Sequence, residues 1–199
     1  MTSRFTYLTI SIMLMVVMSW FLTQRVIAED NVNKQIDQIK VAYLANFIRF
    51  TQWQKDKKNA SQPWIITIIG DTAFANDIHD AFPNGKYMDR PIQIQDLPKL
   101  FEDKNELNDD TREKLHASHV IYVRSGSHQE HQAILALSRS PDFLYISDMT
   151  NAAKAGCMIE LFNLKSRVAF KVNPRAISNA KIHVSSKVLR LGIPVNSSN

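Results

Sequence analysis

Six residues constrain this chain more than any others. Trp64-Ile65-Ile66-Thr67-Ile68-Ile69 is almost continuously apolar and rich in β-branched side chains, and Gly70-Asp71 ends it. A strand of this kind is buried on both faces, which puts it at the centre of a sheet covered by helices. The flanking periodicity supplies those helices. Phe74, Ile78 and Phe82 recur four apart and predict a short helix that Pro83-Asn84-Gly85 stops. Pro91–Leu97 alternates Ile92 and Ile94 with Gln93 and Gln95, a strand with one wetter face. Residues 102–114 are strongly charged and predict a solvated turn and helix. His119–Val123, Ser127–Ser138 and Phe143–Ile146 then predict strand, helix and strand.

Upstream, Ile36, Ile39, Tyr43, Phe47 and Phe50 fall three or four apart. They predict an amphipathic helix over Asn33–Trp53, widened by Leu44 and Ile48, with Lys34, Asp37 and Lys40 off the stripe. The pattern changes after Ser147-Asp148. Cys157–Phe162 and Arg167–Val172 read as strands joined by the loop Asn163–Ser166, a β-hairpin. Pro174 suits the first turn of a short helix, and Ser185 or Ser186 the cap of a last one. The fold class is α/β: a layered sandwich with a mainly parallel sheet, helices on its faces and a C-terminal β-hairpin at one edge.

Residues 1–28 stand apart. Arg4 precedes the apolar block Tyr7–Leu22, and Val26-Ile27-Ala28 follows a short polar stretch. That is the build of a cleaved signal peptide, and the run is shorter than the about 20 residues of a spanning helix. Cleavage after Ala28 leaves one domain, residues 29–199, and removes two arginines but no acid, so the net charge falls from +5 to +3. So small an excess on an exported chain argues against a nucleic-acid partner.

Asp71 and Asp148 each follow a predicted strand, at the edge where open α/β sheets bind ligands. Two acids there suit a cation or an acid/base pair, but Asp also caps turns and helices, and that reading is the stronger. His116 and His119, and His128 and His131, are spaced three apart, one face if helical. A strand opening at His119 breaks the first pair, so no metal site is assigned. Cys157 is the only cysteine and opens an apolar strand, where a small buried thiol is ordinary. An unpaired thiol outside the cytoplasm also suits a bond between two chains. Gly126-Ser127 lacks the flanking Gly of a nucleophile elbow, and five scattered Gly build no phosphate-binding loop. Arg175, Lys187 and Arg190 read as solvated basic surface or as contacts to an anionic partner. No catalytic constellation or cofactor motif emerges, which favours binding or regulation over catalysis.

The order of motifs resembles the YfiR family of exported bacterial regulators, which includes HmsC-type proteins. Ala42–Trp53 follows the family pattern of a helix with Asn46, Phe47, Phe50 and Trp53 in register, although Gln54 stands where Pro is usual. Ile69-Gly70-Asp71 matches a strand end, and Gly156-Cys157-Met158 stands where a Gly-Gly pair usually precedes Met. Phe170 and Asn173 match the later strand, and Ser185-Ser186-Lys187-Val188-Leu189-Arg190 the tail. The resemblance implies a periplasmic protein that binds the periplasmic domain of an inner-membrane diguanylate cyclase. It would hold the enzyme inactive, lowering cyclic di-GMP and restraining biofilm. It also implies a homodimer, no cofactor, and a mostly structural role for the signature residues. The disulfides of some members have no counterpart in a chain with Cys157 alone. A periplasmic small-ligand-binding module is the alternative.

Overall fold

The computed structural model describes residues 32–54, 56, 61–101, 106–124, 128–164 and 167–196. The predicted signal segment and Gly126-Ser127 lie outside them. The chain divides into two compact units, residues 1–38 and 39–199. Of the first, only residues 32–38 are described, and they are helical. Helix α1 spans 32–49. After it come β1 (Thr51–Trp53), β2 (Trp64–Ile69), α2 (Thr72–Ala81), β3 (Lys86–Tyr87) and β4 (Arg90–Leu97). Next are α3 (Asp109–Ala117), β5 (Val120–Val123), α4 (His128–Ala136) and β6 (Leu144–Ser147). The chain continues through β7 (Ile159–Leu164), β8 (Arg167–Val172), α5 (Pro174–Ser178), β9 (Ile182–Val184), α6 (Ser186–Leu191) and β10 (Ile193–Pro194). Among the described residues no helix is long and apolar enough to cross a membrane.

The main sheet has eight strands in the order β10-β8-β7-β6-β5-β2-β4-β3. Its pairings are parallel except β7 with β8 and β3 with β4. The apolar run Trp64–Ile69 is β2, held between β4 and β5 with Ile66 opposite Ile94 and Val120. Every residue of β5 and β6 is buried, as two-sided covering by helices requires. Helix α1 adds Leu44, Phe47 and Ile48 to the core. The Phe47 ring meets Phe170 edge-on at 5.1 Å, and the Tyr43 hydroxyl donates to the Val168 carbonyl.

Two expectations change. Helix α1 stops at residue 49, and Thr51–Trp53 is a strand paired antiparallel with β9. Thr51 and Trp53 face inward and Gln52 outward, a period of two. The Trp53 indole N–H reaches the His119 carbonyl at 3.0 Å. The apolar spacing that read as one long helix therefore spans a helix and a strand.

The C-terminal hairpin is the second change. β7 and β8 pair antiparallel, but they form no discrete edge unit: β6 lies parallel against β7, and β10 lies parallel outside β8. β8 spans the expected Arg167–Val172, while β7 lies two residues later than expected, Ile159–Leu164 rather than Cys157–Phe162, so Cys157 precedes the strand instead of opening it. β10 reaches the sheet because Gly192 has no side chain. A Cβ there would lie 2.6 Å from both Phe170 Cε2 and Val172 Cγ1.

Candidate functional site

In this topology β2 leads to β4 on one side, and β5 leads to β6 on the other. The crevice between the C-terminal ends of β2 and β5 is thus the switch point, where doubly wound sheets bind ligands. Both predicted strand-end acids border it. Gly70, at φ 89, turns the chain so that Asp71 caps α2, its Oδ1 accepting from the Phe74 N–H at 3.0 Å. Arg124, directly after β5, sits between the acids. Its Nε lies 3.2 Å from Asp71 Oδ2 and 3.6 Å from Asp148 Oδ2, and its guanidinium stacks 4.4 Å from the Phe74 ring centre.

Lys40 completes the network from α1, with Nζ 2.8 Å from Asp148 Oδ2. The side chains of Lys40 and Asp148 are 8% and 11% exposed. Burial pushes the Asp148 carboxyl above its usual range, against the pull of the Lys40 ammonium and of Arg124. Both strand-end acids are therefore engaged in the protein's own ion pairs. An acid that caps a helix and an acid held by two cations form a clamp between α1 and the strand ends.

Next to the clamp lies a polar groove of about 340 Å³ walled by Lys40, Asp148, Glu160, Phe162 and Lys171. Its second ion pair is Lys171 Nζ to Glu160 Oε1 at 2.7 Å. Glu160 also accepts from the Asn151 and Ala153 N–H groups, so it fixes the turn between β6 and β7.

A second polar cluster sits at the opposite ends of the strands. The Ile65 N–H donates to His119 Nδ1, which assigns the ring proton to Nε2, and Nε2 donates to Asp56 Oδ1 at 3.0 Å. Arg90 Nη1 binds Asp56 Oδ2 at 2.6 Å while its guanidinium lies 3.7 Å over the Trp64 ring. Burial works to raise the Asp56 carboxyl, but the hydrogen bonds from Arg90 and His119 and the Arg90 charge hold it below its usual range.

Neither Lys40 nor the Asp56 cluster was anticipated from sequence. Lys40 was set off the apolar stripe, yet it lies one turn before Leu44 and is buried, whereas Ile39 on the stripe is exposed. The spacing to Leu44 was the available signal. Asp56, Arg90 and His119 come from separate loops and strands, and nothing local links them.

The family-signature residues divide between core, caps and surface. Phe47, Trp53, Met158 and Phe170 are core, and Phe50 is half-buried. Asn46 is exposed and bonds its own helix at Ala42. Gly156, at φ 118, lies beneath Leu135. Asn173 is fully buried; it caps α5 through Ala176 and donates to the Ala153 carbonyl at 2.7 Å. Ser185 caps α6, and Ser186, Lys187 and Arg190 are exposed with Leu189 partly so. Arg175 is exposed on α5, away from α6 in the chain.

Cys157 is fully buried, its Sγ directed at the Tyr145 and Ile159 carbonyls, and burial pushes the thiol far up. A bond between chains at this sulfur requires the β6–β7 region to open. The histidine pairs are split: His116 and His128 are exposed, while His119 and His131 are buried. Among the described residues no group of three or more His, Cys, Asp or Glu is placed to hold a metal ion.

Set against known proteins, residues 37–193 match the family model described as YfiR/HmsC-like, a span that runs from α1 to β10. No curated protein matches the chain.

Proposed function

The chain belongs to the YfiR/HmsC-like family, and from that premise we propose that it is a periplasmic regulator that represses an inner-membrane diguanylate cyclase. In this reading residues 1–28 are removed as a signal peptide and residues 29–199 form the mature domain. The domain binds the periplasmic part of the cyclase, lowers cyclic di-GMP and restrains biofilm. The family match over nearly all of the described chain carries the reading. The ion pairs at the switch point agree with it, because Arg124 engages Asp71 and Asp148, the two acids a ligand there would meet.

Repression follows from differential affinity. A protein that binds the inactive cyclase about 100-fold more tightly than the active form shifts the balance between them by the same factor. Loss of the gene should therefore raise cyclic di-GMP, and co-purification should recover the cyclase with the protein. Unchanged cyclic di-GMP in the deletion strain would sink the proposal.

One observation favours a second reading, a small-ligand module. A cavity of about 240 Å³ lies between α4, β6 and α5, with walls from Leu135, Phe143, Tyr145 and Met158 and with Arg139 and Arg175 among its lining residues. Apolar walls with a few cations suit a small organic anion. A thermal-shift screen of carboxylates tests it, since a ligand of the native state raises Tm.

A further inference from the structure

Charge is divided unevenly along this chain. Residues 161–199 hold seven Lys or Arg and no Asp or Glu, a charge of +7. Residues 29–160 hold 15 Lys or Arg against 19 Asp or Glu, a charge of −4. The modest +3 of residues 29–199 therefore conceals a basic C-terminal end. In the fold that stretch is the end of β7 and all of β8, α5, β9, α6 and β10. β8 and β10 form one margin of the main sheet, and β4 and β3 form the other. A domain with one basic end has a field that turns this end toward an anionic surface. Helix α6 and β10 add apolar side chains to it. Lys187, Arg190 and Leu191 stand three and four apart and share one exposed face of α6, while Val188 is buried. Leu191 is 78% exposed and Ile193 50%. Gly192 between them is buried against Phe170 and Val172, so both side chains project from a fixed backbone. Among the described residues neither Lys187 nor Arg190 has an acidic partner, whereas Lys171 of β8 is paired with Glu160.

We propose that α6 and β10 dock the domain on an anionic lipid surface, with Leu191 and Ile193 entering the headgroup layer and Lys187 and Arg190 meeting lipid phosphates. Charge selects this occupant. A stretch with no acid of its own complements a sheet of phosphodiester anions, and aliphatic side chains set among cations are the build of an interfacial contact. Composition separates it from a protein-docking face. Such faces are enriched in aromatic residues and Met and depleted in Lys. Here no aromatic residue and no Met follows Phe170, and Lys181 and Lys187 are both exposed. A helix of six residues is far too short to span a bilayer, so the contact is peripheral. This surface is independent of which protein the domain regulates.

Co-sedimentation of the exported protein with two kinds of vesicle tests the proposal, one of phosphatidylcholine alone and one of phosphatidylcholine mixed with phosphatidylglycerol. The protein should pellet with the anionic vesicles only, and added salt should release it. Lys187→Gln together with Arg190→Gln should weaken that binding about 30-fold, and Leu191→Ser about tenfold. These side chains are exposed in the free domain, so the fold should survive, which circular dichroism checks. The buried Cys157 permits a local probe. Ile193→Cys carrying an environment-sensitive fluorophore should brighten on anionic vesicles. The same label on Asp80→Cys, exposed on α2 beside β2 and β4 at the other side of the sheet, should not. This pair of labels reads which face meets the lipid, whatever the N-terminal residues do. Equal binding to neutral vesicles, binding unmoved by the charge or Leu191 variants, or an equal response from both labels each overturns the proposal. So does an acidic protein, the cyclase's periplasmic domain included, that binds this face while vesicles do not.

Discussion

Lys40 and Asp148 show what a buried charge does at the scale of one residue. Each is nearly out of water, and their pairing offsets much of the cost of burying the two charges. Lys40→Met should destabilise the protein by about 3 kcal/mol, since Asp148 loses its nearest cation and keeps the more distant Arg124, the Tyr122 hydroxyl and its own backbone N–H. The paired change Lys40→Met with Asp148→Leu should recover much of that loss, as apolar replacement of a buried pair often does. Urea unfolding of the single and double variants measures both. Cys157 makes a second, sharper statement. A thiol with no exposed surface, whose acidity burial suppresses, should resist an aromatic disulfide reagent in the native protein. It should react at once in denaturant. Fast labelling under native conditions would mean that the β6–β7 region opens readily.

At the scale of elements, caps and short strands do the positioning. Asn173 joins β8 to α5, accepting from Ala176 N–H and donating to the Ala153 carbonyl. Asn173→Ala should cost about 2–3 kcal/mol, one cap plus one buried carbonyl left unmade. Asn173→Asp keeps the cap acceptor and loses the donor, so its denaturation midpoint should fall between the two. What could be read in advance follows the same physics. β2 was legible because burial on both faces writes an unbroken apolar run, and Asp71 and Asp148 were legible because they end strands. β3, β9 and β10 were not, since two or three residues carry no period. β1 was misread because Phe47, Phe50 and Trp53 keep helical spacing across a change of backbone conformation. The network on Arg124 needed the fold itself, which brings together residues from α1, β2, β5 and β6.

At the scale of the whole molecule, stability should depend on pH through a residue remote from the crevice. His131 is buried against Tyr145, with Nδ1 2.5 Å from the phenol oxygen. Burial is the main cause that holds its imidazole below the ordinary value, outweighing the backbone bond at Ala155. The folded state therefore binds its proton later than the unfolded chain does. The stability it contributes is complete above the unfolded pKa of about 6.5 and drains away as pH falls below it. The slope approaches about 1.4 kcal/mol per pH unit at most. Chemical denaturation at about pH 7.5 and about pH 5.5 should show this loss, and His131→Gln should flatten it. Equal loss in the variant would place the acid sensitivity elsewhere.

The pairing of β1 with β9 has a consequence in time. Thr51 lies opposite Val184, Ser185 N–H bonds the Phe50 carbonyl, and β10 closes the far side of β8. Among the described residues β1 thus finds its sheet partner far along the chain, past every other helix and strand except α6 and β10. The strand of Trp53 stays unpaired until the segment around Ile182 is available to it. Long-range closure of this kind slows folding and keeps the polypeptide open as a thread.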